Sequence, residues 1–290
     1  MTQTIALLGA NGVYARHLIP RLTAAGYTVR ALVRRPDAAS VARACNADLR
    51  IADIFDEASL VAGLEGADLG VNLATSLPGP SGRGDYAAND RLRREGTPIW
   101  IDACRKAGVT RVIQQSIAML SGSGGDTWTD EDHTIDAGDD TVAGRAYRAS
   151  LAMEETVRAS ELDWLILRGA LFYGPGTGSS DDWFARAREG KLRLPGDGEA
   201  FVSLLHVSDM ARATLAAIQR WPSRRTLIVA DDEPARWRDV FAYIAHMAGA
   251  EPPQVGGSAG FPSFRVSNRR AREALSWAPF YTNYRVGLAR

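Results

Sequence analysis

Lysine is almost missing from this chain: Lys106 and Lys191 are the only two among 34 basic residues, the rest being arginine. Chemistry that needs a lysine amine therefore has two candidates and no more. Cysteine is scarce too. Cys45 and Cys104 stand apart in helix-like stretches without a Cys-x-x-Cys or Cys/His cluster, which excludes a disulfide framework or zinc site and leaves two buried thiols as the expectation. The histidines His17, His133, His206 and His246 show no metal-ligand spacing, so no metal is expected. Neither charge sign is in excess: 34 basic residues meet 34 acidic ones. No field favours nucleic acid, and no basic stripe interleaved with aromatics appears. There is no long apolar run, and no basic head or small-residue cleavage site precedes the first strand pattern, Thr4-Ile5-Ala6-Leu7-Leu8. The expectation is a cytoplasmic protein with no membrane partner, acting on a small-molecule substrate.

What is present is rhythm. Short β-branched or Leu-rich runs alternate with longer amphipathic stretches as far as Arg168, which predicts βα units on a parallel sheet. Strands are expected at Ile5-Leu8, Thr28-Val33, Leu49-Ile51, Leu69-Leu73, Arg111-Gln115 and Asp163-Leu167. Helices are expected near Val13-Ala25, Ala38-Ala44, Glu57-Ala62, Asn89-Ala107 and Val142-Ser160, with Gly26, Gly66 and Gly108 just past helix ends. The fold class is α/β, a Rossmann-type doubly wound parallel sheet over residues 1–168. After the breaker cluster that starts at Tyr173-Gly174-Pro175 the rhythm is lost, and residues 169–290 are expected to form mainly a smaller C-terminal α/β substrate lobe. The acidic, Gly-rich stretch 121–140 is expected to be a mobile lid or a solvated loop.

Gly9-Ala10-Asn11-Gly12-Val13-Tyr14-Ala15 follows the first strand and opens the first helix, the context that makes a glycine turn a dinucleotide site. Gly9 permits the tight turn, Gly12 lets the backbone approach a pyrophosphate, and Ala15 is small enough for helix-strand packing. Gly9, Asn11, Gly12, Val13 and Tyr14 are accordingly assigned to the coenzyme. The second strand ends in Val33-Arg34-Arg35, where a site for NAD usually offers a carboxylate to the ribose. Guanidinium groups grip a 2′-phosphate instead, so Arg34 and Arg35 point to NADP. Asp53, after the third strand, is placed at the adenine or at a helix N-cap.

These features resemble the extended short-chain dehydrogenase/reductase family, with its epimerase/dehydratase group and its atypical, NmrA-like relatives. Asn72-Leu73-Ala74-Thr75 is similar to the family's fourth-strand motif, which assigns Ala74 to the coenzyme. Gln115-Ser116-Ile117-Ala118-Met119-Leu120 is similar to the strand with the active-site serine. Leu167-Arg168-Gly169 through Tyr173-Gly174-Pro175 resembles the arginine-proline to Tyr-Gly-Pro segment, with Gly169 where proline is usual. Leu205-His206-Val207-Ser208-Asp209 resembles the His-Val-x-Asp motif. The resemblance implies Ser116 on the carbonyl oxygen and Tyr147 as proton donor. It also implies a lysine four residues after the tyrosine, where Leu151 stands. An apolar side chain cannot hold ribose hydroxyls or stabilise a tyrosinate. A tyrosine near its ordinary pKa of about 10 is protonated at neutral pH, so reduction is favoured over oxidation.

Family members acting on nucleotide-sugars commonly carry an arginine where Val202 stands, and a buried diphosphate without a cation is costly. Aromatic residues are expected to gather at the substrate cleft: Trp128, Phe172, Tyr173 and Trp183, with His206 beside them. The resulting expectation is an NADP-dependent ketoreductase of a bulky aromatic or polycyclic ketone such as a polyketide, with Tyr147 or the substrate supplying the proton. An epimerase, dehydratase or cyclase that keeps its coenzyme, and an NmrA-like redox-sensing binding protein, are the alternatives.

Overall fold

A computed structural model describes residues 2–78, 84–258 and 262–289. Seven strands form the central sheet: β1 (Thr4–Leu8), β2 (Thr28–Val33), β3 (Asp48–Ile51), β4 (Leu69–Asn72), β5 (Arg111–Ile117), β6 (Asp163–Gly169) and β7 (Arg225–Val229). All their pairings are parallel, in the order β7-β6-β5-β4-β1-β2-β3. The order reverses beside β1, which opens a crevice at the carboxyl ends of β1 and β4.

Both faces of the sheet are covered, which is why its strands read as apolar runs rather than as alternating ones. On one face Ile5, Leu7, Val71, Ile113 and Leu165 are buried with helix α1 (Val13–Ala24) and helix Val207–Arg220. On the other, Ala6, Leu8, Val112 and Ile166 are buried with helices Glu57–Leu64, Thr97–Lys106 and Val142–Ala159. Gly26, Gly66 and Gly108 close their helices with φ of 88°, 76° and 77°, values that glycine alone adopts without strain.

Three expectations are revised. The single helix expected at 89–107 is broken into Tyr86–Arg91, a π turn at Leu92–Gly96 and Thr97–Lys106. Pro98 has no N–H to continue the ladder, and a Cβ at Gly96 would stand 2.8 Å from Ile54, so this turn is shaped by proline and close packing. Residue 169 does not separate two bodies: β7 returns to the edge of the central sheet beside β6, and helix Val207–Arg220 packs on α1, where the hydroxyls of Tyr14 and Thr214 bond. The rest of the C-terminal part makes small pairings, such as Leu171–Tyr173 with Leu204–His206 and Phe201–Val202 with Ala235–Arg236.

The expected lid is tied down. Trp128–Thr129 pairs with Arg265–Val266, the Gly124 amide donates to the Ser263 carbonyl at 3.0 Å, and the Ile228 amide of β7 donates to Glu131 at 2.7 Å. Arg270 adds an ion pair to Asp130 at 3.2 Å. The segment is a strap held by the C-terminal part of the chain.

His206 caps the helix that joins both parts: its Nδ1 accepts from the Ser208 amide at 3.2 Å, and burial pulls its pKa down to about 4. Between that value and the ordinary 6.5 the unfolded chain binds the extra proton, so the neutral ring's contribution is present above pH 6.5 and is lost as pH falls towards 4. His206→Gln should therefore flatten the fall in melting temperature over that interval, as read by calorimetry in a pH series. An unchanged slope would remove His206 as its source.

Candidate active site

The glycine turn forms the floor of the crevice. Gly9 has φ of 81°, and a Cβ on it would lie 2.8 Å from the Ala74 amide nitrogen, so the β1 turn and the end of β4 meet as bare backbone. Gly12 is the N-cap of α1, and no side chain caps that helix, which leaves its first amides for an anion. Asn11 donates to the Arg35 carbonyl at 3.1 Å, while its buried Oδ1 has no partner among the described residues. The wall of the crevice includes Gly9, Asn11, Gly12, Arg34, Arg35, Leu73, Ala74 and Thr75. Arg34 and Arg35 are exposed, and among the described residues neither side chain has a carboxylate partner. The Ala74 amide donates a hydrogen bond to Asn72 Oδ1 at 3.0 Å, and Asn72 Nδ2 donates to Gln114 Oε1 at 3.0 Å on the next strand. A cradle closed to any Cβ, an orphaned polar atom, free helix amides and two unpaired cations fit a dinucleotide.

The other residues assigned to the coenzyme lie differently. Val13 is half-buried and packs against the core. Tyr14 is buried, bonded to Thr214 and edge-on to Phe172 with ring centres 5.8 Å apart, so its side chain faces away from the crevice. Asp53 accepts from the Phe55 amide at 3.0 Å in a local turn, while Asp56 caps the next helix and Ile54 takes the place in the crevice wall.

Ser116 and Tyr147 are not brought to one point. Ser116 is paired in register with Arg168 on β6, so both side chains leave the same face of the sheet, towards helix Val142–Ala159. That helix presents Glu154. Ser116 Oγ donates to Glu154 Oε1 at 2.6 Å, and Arg168 binds the same carboxylate with Nε at 2.9 Å and Nη2 at 2.7 Å. Arg158 joins at 2.6 Å, and Arg168 Nη1 reaches Ser121 Oγ at 2.7 Å. Burial is the largest single effect and raises the Glu154 pKa, but the hydrogen bonds and charge of Arg168, with the Ser116 hydroxyl and the Arg158 charge, together outweigh it, so the carboxyl is held below the ordinary 4.5. Sequence reasoning passed over this cluster, although Arg168 stood within a segment that resembles a family motif.

Tyr147 is 2% exposed and packs with Leu120 and Ala143, against Ile117, Ile135 and Leu151. It is Ile117, one residue beyond Ser116, that packs against this cluster. Leu151 fills the family lysine's place with apolar contact. Among the described residues the Tyr147 hydroxyl has no hydrogen-bond partner, and burial, aided by Asp139, raises its pKa well above the ordinary value. It lines a cavity of about 780 Å³ together with Tyr86, Asp136, Asp139, Thr141, Val142 and Gly144.

The aromatic lining expected from sequence is corrected. Tyr173 is fully buried and donates to Asp231 at 2.9 Å; Trp183 packs against Trp237 and Phe241; His206 stacks on Tyr281 at 3.9 Å. These rings satisfy the core. Phe172 lies on Gly169, where a Cβ would stand 2.8 Å from the ring, which accounts for glycine at the position where the family has proline. Trp128 is exposed on the strap beneath the Arg265 guanidinium, which stacks at 4.7 Å. Val202 is buried, and the nearby Arg236 is paired with Glu199 at 2.9 Å and Asp126 at 3.0 Å. Among the described residues no group of three His, Cys, Asp or Glu side chains is arranged to hold a metal, and no helix is long and apolar enough to cross a membrane.

Residues 9–219 match the family model described as NAD(P)H-binding. The chain is 34% identical, over 99% of both chains, to a 3-diazoavenalumate denitrifying reductase of a Streptomyces species. It is 24% identical to a 4-hydroxy-2-methyl-3-oxo-4-farnesyl-3,4-dihydroquinoline-1-oxide ketoreductase of Stigmatella aurantiaca, over 83% of this chain and 72% of that one. Among solved structures, MoeE5 in complex with UDP-glucose and NAD superposes with a TM-score of 0.77 at 26% identity, covering 99% of this chain and 96% of that one.

Removing one partner of the buried pair leaves the other charge unpaired, so Glu154→Gln should cost about 3–5 kcal/mol in denaturant unfolding, whereas Ser116→Ala should cost about 1 kcal/mol. Equal costs would mean that the serine, not the ion pair, organises the cluster.

Proposed function

The chain belongs to the extended short-chain dehydrogenase/reductase family, an oxidoreductase with a nicotinamide coenzyme, and on that premise we propose that it is an NADPH-dependent reductase of an aromatic diazo compound. The observation that carries this reading is the apolar surrounding of Tyr147, with Leu151 in the lysine's place, Ile117 at its side and Ser116 consumed by Glu154. Reduction of a ketone builds negative charge on oxygen, which needs a donor to hold it and an acid to quench it. An aryl diazonium needs neither. One hydride added to its terminal nitrogen cancels the positive charge. The resulting diazene exchanges its C–N bond for a C–H bond as dinitrogen leaves, so atoms and charge balance without a protein proton.

When bound, the coenzyme supplies that hydride. The protein's part is to bind, orient and exclude water: Gly9, Gly12 and the α1 amides take the pyrophosphate, Arg34 and Arg35 the 2′-phosphate, and Tyr147, Ile117 and Leu151 form a dry wall. The relative named a denitrifying reductase, matched along its whole length, supports this acceptor. A second reading, reduction of a bulky ketone such as a polyketide, is favoured by Tyr147 itself, whose raised pKa keeps the phenol protonated.

The two readings separate in one experiment. With 4-carboxybenzenediazonium as probe, the protein should oxidise NADPH in step with dinitrogen release, and Tyr147→Phe should retain the rate within about threefold. A ketone reductase that uses the phenol as acid should instead lose about 100-fold or more on that substitution. No dinitrogen release, with turnover of a ketone panel that depends on Tyr147, would replace the first reading by the second. For the coenzyme, the double substitution Arg34→Ala, Arg35→Ala should lower the preference for NADPH over NADH by about tenfold or more in titrations, since charge-assisted bonds to the 2′-phosphate are lost. An unchanged ratio would place the discrimination elsewhere.

A further inference from the structure

Three aspartates lie together beyond the end of β7, and the nearby cations answer only two of them. Asp209 is met by Arg212 at 2.8 Å and by the Tyr281 amide at 2.8 Å. Asp232 is met by Arg272 at 2.8 Å and by Asn268 Nδ2 at 2.9 Å. Asp231 is 3% exposed, and among the described residues it has no ion-pair partner. Its contacts are uncharged: the His206 amide donates to Oδ1 at 3.3 Å, and the Tyr173 hydroxyl lies 2.9 Å from Oδ2. The titratable groups that face it are Tyr173 from strand Leu171–Tyr173, His206 and Asp209 from the start of helix Val207–Arg220, Asp232 beside it in the chain, and Tyr281 next to Tyr173. The nearest further cation, Arg21, is held by Ser208 Oγ at 2.6 Å on the Asp209 side. No positive charge comes from His206, whose ring is neutral above about pH 4. A carboxylate buried in this way has no countercharge, and burial, with Asp209 and Asp232 adding to it, pushes its pKa up.

The proton count at Tyr173 points the same way. This tyrosine is fully buried, with its hydroxyl between Asp231 Oδ2 at 2.9 Å and the Asn283 carbonyl at 3.2 Å. A Cβ on Gly287 would overlap the hydroxyl, so bare backbone closes its remaining side. One phenol proton serves one of the two oxygens. An ionised Asp231 takes that proton and leaves the approach to Asn283 without one. A protonated Asp231 supplies the missing proton: the acid donates to the phenol oxygen, the phenol donates to Asn283, and both contacts are hydrogen bonds.

We infer that Asp231 is a neutral carboxylic acid in the folded chain and heads a donor chain, Asp231 to Tyr173 to Asn283, that ties the C-terminal segment to the end of β7 in a pH-sensitive way. The 2.9 Å contact then runs from acid to phenol, the reverse of its direction with a carboxylate. Asn283 caps the last helix, Tyr284–Leu288, and the residue before it is joined to the same place, since the Asp232 amide donates to the Thr282 carbonyl at 2.9 Å. The proton on Asp231 therefore sits where tail and sheet meet. Below the ordinary 3.8 the folded and unfolded chains both hold this proton, and above it only the folded chain does. The contribution is full at low pH and is lost as pH rises from that value towards the folded one.

Asp231→Asn is the test, because the amide keeps the shape of the acid, donates to Tyr173 and accepts from the His206 amide, yet never ionises. In denaturant unfolding of the full chain, the ratio of the two unfolding constants should shift by close to tenfold per pH unit above about pH 4, always against the wild type, until the folded acid itself ionises. A ratio that does not change with pH, or one that moves in favour of the wild type as pH rises, overturns the proposal. Should the variant fail to fold, carbon NMR of the wild type labelled at its aspartate carboxyls decides. The Asp231 signal should keep the shift of a protonated acid at about pH 6, and a signal that has already titrated by then overturns the proposal. Tyr173→Phe cuts the chain in its middle and should speed amide exchange within Tyr284–Leu288 by about tenfold or more at the same pH. Unchanged exchange there would show that the acid does not tie down the tail.

Discussion

The Glu154 carboxylate, wholly buried between Arg168, Arg158 and Ser116, is the constraint from which the rest of the site follows. An ionised group without contact with water is tolerable only when every lone pair is answered. Here two guanidinium groups and a hydroxyl answer it, drawn from β5, β6 and one helix. That demand fixes the rotation of helix Val142–Ala159 about its axis. Once Glu154 faces Ser116 and Arg168, Tyr147 and Leu151, two turns and one turn earlier, must project along the same stripe, nearer the crevice. The arrangement also decides which residue of β5 meets the tyrosine. Ser116 is captured below, and the next residue, Ile117, takes the place at the strand's end.

Much of the fold could be read from the chain. The strand runs, the glycines after helix ends and the context of Gly9 and Gly12 are local signals, set by backbone sterics and period, and the structure places strands and the crevice floor where those signals lie. Arg34 and Arg35 belong to the same class, since the end of β2 delivers them to the crevice whatever the distant chain does. What was not legible depends on partners far along the sequence. Tyr14 looks like part of a coenzyme turn until Thr214, 200 residues away, takes its hydroxyl. Stretch 121–140 has the composition of a free loop, and it is strapped down because Arg265, Arg270 and Ser263 arrive from the other end of the chain.

The aromatic residues and Ser116 failed for a different reason. Tyr173, Trp183 and His206 lie in the right part of the chain for a substrate cleft, and position along the chain does not say which way a side chain points. The pairing of Leu171–Tyr173 with Leu204–His206 turns Tyr173 and His206 inward together, where Asp231 bonds the phenol and also accepts from the His206 amide at 3.3 Å. For Ser116 the issue is parity. A serine one place off in a strand leaves from the opposite face, so a motif that matches by eye places the hydroxyl in the core and an isoleucine at the reacting end.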